Sequence, residues 1–202
     1  MSRDDGGDAV RYFAFGANMA SDVLCKRRGL RISGAEPARL RGYAMRFSAP
    51  GLPLIEPAFA NIEPDPGAEC WGVLYQMPQR DLDDLVELES GAYSLLEVEV
   101  EGAESGPVLA LAFCDERRRD AGKPSRRYRD LLLRGAREHD LPEPYLARLA
   151  AEPVAYVPLL SEAFEWVVLR PAIFLRSIGL RHEHAIVRVV NAYHRMTGKH
   201  GD

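Results

Sequence analysis

Two short stretches of this 202-residue chain hold residue types that could carry out acid/base chemistry around a bound anion. The first is Phe15-Gly16-Ala17-Asn18-Met19. Gly16 lets the backbone approach a ligand, and a helix starting just beyond it would offer unpaired N–H groups to a carboxylate or a developing oxyanion. The same residues are also ordinary turn punctuation. The second is Glu89, which follows Leu82 and Leu85 at helical spacing and shares their apolar face. Asp83, Asp84 and Glu87 fall on other faces and read as solvated charges. A carboxyl group facing Tyr93 and leucines would hold its proton more readily, which suits acid/base work near neutral pH. A helix-terminal glutamate that turns to solvent or pairs with an arginine fits the pattern equally, and pairing would remove the argument from uncompensated burial.

Other candidates point less clearly to chemistry. His182, Glu183, His184 and His194 offer no further ligand at fixed spacing, so no metal is assigned. The arginine-rich run Arg117–Arg129 could meet an acidic leaving group or an RNA, but a solvated face explains it more simply. The formal charge of −4 gives no basic field, so neither nucleic acid nor an anionic membrane is an expected partner. Cys25, Cys70 and Cys114 show no paired spacing and read as packing residues in a reducing cytoplasm. No Gly-x-Ser-x-Gly elbow occurs, so covalent catalysis is not expected. The leader Met1–Asp8 is polar and acidic, unlike a secretory signal, which predicts a cytoplasmic location. Glu162, Glu165, Arg170 and Arg176 interrupt the apolar stretch 154–180 and argue against a membrane span.

The elements that must position these residues can be read from the same string. Apolar residues are 47% and charged residues 28%, as in an ordinary folded domain. Strands are expected at 11–15, 40–48, 70–77, 93–100 and 108–114, and helices at 20–28, 81–89, 125–139 and 142–151, with Pro142 suited to a first helical turn. The Pro- and Gly-containing segment 49–67 reads as a long surface connection. Pro153, Pro158 and Pro171 then punctuate a change of character. Ile186, Val189, Val190, Tyr193 and Met196 give an amphipathic run, packed on the same chain or at a homodimer contact. The fold class is α+β.

Tyr12-Phe13-Ala14-Phe15-Gly16-Ala17-Asn18-Met19 resembles the buried strand and Tyr-Gly-Ser-Asn-Leu signature loop of the gamma-glutamylcyclotransferase-like family. Phe59-Ala60-Asn61-Ile62 with Gly67, and then Trp71-Gly72-Val73-Leu74-Tyr75, resemble its next strands. Leu82–Glu89 and Gly91-Ala92-Tyr93 resemble its catalytic helix end and following turn. Pro124-Ser125 with Tyr128, and Leu141–Leu146, are similar to its closing helices. The order of these motifs over residues 10–152 is more specific than any one of them.

The resemblance implies a small twisted mixed β-barrel flanked by helices over 10–152, with 153–202 as a C-terminal helical extension. It places Glu89 as general base and acid, and Phe15, Gly16, Ala17, Asn18 and Tyr128 around the substrate. The implied reaction closes a small-molecule gamma-glutamyl substrate into 5-oxoproline and needs no cofactor. Phe15 and Ala17 depart from the signature by losing two hydroxyls, while the backbone donors survive. A non-catalytic ligand-binding or protein-association member of the same fold is the alternative, and an enzyme removing a gamma-glutamyl group from a larger amine is a third reading.

Overall fold

Tyr12, Phe13, Ala14 and Phe15 are all buried, so the first strand lacks the alternation of a half-exposed one. This strand, β1 (Ala9–Ala14), belongs to a computed structural model that describes residues 9–52, 55–89, 93–116 and 122–155. It pairs antiparallel with β3 (Glu56–Pro78) on one side and parallel with β5 (Gly106–Cys114) on the other. Strand β2 (Gly34–Leu52) pairs with β3 and with β4 (Ser94–Gly102), and β4 with β5. The order β1-β3-β2-β4-β5 is a closed barrel, the architecture that the resemblance implied.

Segment 49–67 overturns the expectation of a surface connection. It continues both strands of the long β2–β3 hairpin, with Ala49 opposite Phe59 and Met45 opposite Ile62. Its prolines and glycines argued against strand, but burial of Ala58, Ala60 and Ile62 outweighs that local preference. Register shifts accommodate the long strands, one of them between Arg41 and Tyr43, where Gly42 takes a φ of 74°. Buried Asn61 ties β3 to the end of β5, donating to the Asp115 carbonyl and accepting from its N–H, both at 2.9 Å.

The expected helix over 20–28 is also corrected. A single 3₁₀ turn, Ala17–Met19, leads into a π-helical turn, Val23–Arg27, where the Arg28 N–H bonds the Val23 carbonyl five residues back. Met19, Ala20, Val23 and Leu24 are buried together, so packing on several sides, rather than one amphipathic stripe, shapes this segment.

Helix α1 (Gln79–Glu89) behaves as its spacing predicts, burying Leu82 and Leu85 and exposing Asp83, Asp84 and Glu87. Helix α2 (Arg126–Glu138) starts at Ser125, whose hydroxyl accepts from the Tyr128 N–H at 3.0 Å. Its Gly135 packs on the 3₁₀ turn so closely that a Cβ there would lie 2.6 Å from the Ala20 nitrogen. Helix α3 (Glu143–Ala151) follows Pro142 and buries Tyr145, Leu146 and Leu149. Among the described residues no helix is long and apolar enough to cross a membrane. The readings of Met1–Asp8, the four residues considered for a metal and the amphipathic C-terminal run lie outside the described residues, as does nearly all of 153–202.

Candidate active site

Because α1 ends at Glu89 with its leucine face inward, that carboxylate stands at the edge of the barrel core. It is not isolated there. Its Oε1 lies 2.7 Å from an Nη2 of Arg28, and each side chain is 17% exposed. Of the two readings of this glutamate, the structure bears out the pairing with an arginine. The carboxylate is paired, so the argument for catalysis from uncompensated burial does not carry.

Three tyrosines surround this pair. Burial pushes the Tyr12, Tyr93 and Tyr128 hydroxyls well above the usual phenol range, and the negative charge of Glu89 adds to the rise in each. All three are therefore neutral O–H groups at physiological pH. Their positions are set by ring packing: Phe113 stands between Tyr12 and Tyr93 at centroid distances of 5.6 and 6.3 Å, and Phe59 packs edge-on to Tyr128 at 5.0 Å.

Tyr128 joins the carboxylate to the signature loop. Its oxygen accepts from the Ala60 N–H at 3.2 Å. Gly16 is so close that a Cβ there would sit 3.1 Å from the Tyr128 oxygen. Asn18 is 7% exposed and donates through Nδ2 to the Tyr12 hydroxyl at 2.8 Å. Its Oδ1 is buried with no hydrogen-bond partner among the described residues. Such an acceptor costs about 1–3 kcal/mol when left unpaired, so it suits a donor carried by a ligand.

The loop is held from beneath by a second polar cluster. Tyr75 donates to the Met19 carbonyl at 2.7 Å, and His139 Nε2 lies 2.8 Å from the Tyr75 hydroxyl and 3.2 Å from that of Ser21. Burial lowers the pKa of His139, so its neutral ring is favoured in this network.

Gly16, Ala17 and Asn18, then Glu89, then Tyr128 are thus brought into one neighbourhood from three separate parts of the sequence. Phe15 stands apart: its ring is 5% exposed and packs in the core against Phe13, so only its backbone borders the loop. Sequence reasoning missed Arg28 and the role of Tyr12. A lone tyrosine in a Phe/Ala strand signals a hydroxyl needing a partner, which could have pointed to Tyr12. Cys25 is exposed, contrary to the packing role expected of it, while burial pushes the Cys70 thiol up to about 12.

The AIG2-like family model matches residues 69–149. The chain is 31% identical to the gamma-glutamylcyclotransferase of Homo sapiens over 80% of its own length and 88% of that protein. It is 30% identical to the gamma-glutamylcyclotransferase of Bos taurus, covering 82% of this chain and 91% of the relative. A solved gamma-glutamyl cyclotransferase structure superposes with a TM-score of 0.66 at 26% identity, over 81% of this chain and 99% of the other.

Proposed function

This chain belongs to the gamma-glutamylcyclotransferase family, and we propose that it converts a gamma-glutamyl compound into 5-oxoproline and a free amine or amino acid, with Glu89 as proton carrier. The observation that carries this reading is Tyr128. Its hydroxyl stands against Gly16 of the signature loop, and the charge of Glu89 acts on that same hydroxyl, which draws loop and carboxylate into one neighbourhood.

In the reaction, the Glu89 carboxylate takes a proton from the substrate's α-ammonium. The freed amine attacks the side-chain carbonyl carbon of the same molecule, forming the lactam C–N bond. The ring nitrogen sheds its second proton to solvent, and as the tetrahedral intermediate collapses the bond to the leaving nitrogen breaks and Glu89 returns its proton there. Nucleophile and electrophile share one molecule, so holding the folded conformer supplies part of the acceleration. Arg28 lies 2.7 Å from the oxygen that would take the proton, so the incoming ammonium meets a charged neighbour there. The neutral tyrosine hydroxyls and the Asn18 Oδ1 supply donors and an acceptor around the head group.

A non-catalytic binder of the same fold would also keep a charge-satisfied Arg28–Glu89 pair, so turnover separates the two readings. The experiment is 5-oxoproline release from a panel of gamma-glutamyl amino acids, gamma-glutamyl amines and glutathione, with Glu89→Gln as control. Release by the wild type and not by the variant supports the enzyme and identifies the leaving-group class. No release from any compound by folded protein would reject the enzymatic reading.

A further inference from the structure

The Arg28–Glu89 pair has the charge pattern of an α-amino acid head group with signs reversed: a carboxylate to meet an ammonium and, 2.7 Å from it, a guanidinium to meet a carboxylate. An ammonium that approaches Glu89 to give up its proton competes with Arg28 for the same oxygens. Displacing a half-buried guanidinium is costly if it is left unpaired. A substrate that brings its own anion one carbon away from the ammonium removes that cost, because two ion pairs then replace one.

The surroundings favour an anion further. Arg27 feels the charges of Arg28, Arg127 and Arg134. Among the described residues the carboxylates paired with these four guanidinium groups are Asp22, Glu56 and Glu89, which leaves one positive charge in excess. Arg28 is carried at the end of the π-helical turn and joined to the rest of the site through its contact with Glu89, so a modest swing of its long side chain would leave the fold untouched.

Resting on the cyclotransferase reading above, we infer that Arg28 is a substrate-binding residue that releases Glu89 to the incoming α-ammonium and takes up the substrate's α-carboxylate. The loop backbone around Gly16 and Asn18 is then available for the reacting carbonyl oxygen, where charge develops. Arg28 therefore makes an α-carboxylate a condition of binding, and simple ω-amino amides are discriminated against.

The test uses the gamma-glutamyl compound that the wild type turns over, with 5-oxoproline and 2-pyrrolidinone, its counterpart lacking the carboxylate, as competitive inhibitors. Arg28→Gln is expected to raise the KM and the inhibition constant of 5-oxoproline by roughly 10- to 100-fold, the range for a charged hydrogen-bonding contact. The inhibition constant of 2-pyrrolidinone stays within about twofold, since it has no group for Arg28 to hold. Arg28→Lys, which keeps the charge and guards against a folding defect, recovers part of the selectivity. Equal weakening of both inhibitors in Arg28→Gln, or no change in either, overturns the inference while leaving the enzyme reading intact. If the wild type releases no 5-oxoproline from any compound, that reading fails, and this inference with it.

Discussion

Two glutamates flank Tyr128, both paired with an arginine, and they are held in different ways. Glu56 is 6% exposed at its side chain and fully engaged: Ser125 donates to Oε2 at 2.7 Å, and Arg127 reaches Oε1 through Nε at 2.7 Å and Nη2 at 2.6 Å. It clamps the β2–β3 hairpin to the start of α2. Glu89 is more open, meets Arg28 at the end of a π-helical turn, and faces three neutral tyrosines. The difference teaches that depth of burial does not mark the carboxylate suited to proton transfer. A group whose charge is satisfied from several directions is a fastener, whereas one held by a single ion pair can exchange partners.

The largest contrast is expected between the two amide variants. Glu89→Gln should lower kcat by roughly 10²- to 10⁴-fold, the usual contribution of a positioned acid/base, while the urea unfolding free energy changes by no more than about 1 kcal/mol. Glu56→Gln should do the reverse, losing about 3 kcal/mol in urea unfolding while turnover per folded molecule stays within a few-fold. If both variants lose activity and stability in parallel, the division of labour between the two carboxylates is wrong.

Gly135→Ala probes how far the loop depends on α2. The added methyl would meet the Ala20 nitrogen and the Met19 Cβ at 2.6 and 2.8 Å, so the 3₁₀ turn must move. The expected cost is about 1–3 kcal/mol in thermal or urea unfolding, with a loss of turnover beyond that explained by unfolded protein. Tyr128→Phe removes the oxygen that accepts from Ala60 at 3.2 Å and should cost about 1 kcal/mol, with a rise in KM as the loop loses its neighbour at Gly16.

The smallest expected effect concerns Asp81, a third carboxylate paired with an arginine. Burial would raise its pKa, but the side-chain and backbone contacts from Arg31, at 3.0 and 2.6 Å, bring the net shift below the ordinary aspartate range. Its folded value is lower than its unfolded one, so its stabilisation is present above about pH 4 and is lost as pH falls through the folded value. Urea midpoints between about pH 6 and pH 3 should therefore fall less steeply in Asp81→Asn than in the wild type. Equal slopes would remove Asp81 from the acid response.

Much of the frame was legible because it rests on local patterns. The spacing of Leu82, Leu85 and Glu89 predicted α1 and its buried leucine face, but not that Asp81 is the acid buried deepest on it. Alternation through Glu97, Val98, Glu99 and Val100 predicted β4. Segment 49–67 was misread because Pro50, Gly51, Pro57 and Pro64 speak against strand locally, while the pairing that overrides them comes from residues distant in the chain. The 20–28 segment was misread because a π-helical turn has no periodicity of its own to distinguish it from an α-helix.

The sequence by itself determined the family, the α+β order of elements, the signature turn at Gly16–Asn18 and an inward Glu89, because each is a matter of residue type and short-range spacing. Only the tertiary structure decided that Arg28 holds Glu89, that Tyr12 holds Asn18, that Tyr128 stands against Gly16, and that Phe15 belongs to the core. Those facts depend on where a widened turn, a closed barrel and a helix packed through Gly135 bring distant side chains. Charge partners are chosen by distance in space, for which no sequence period carries a signal.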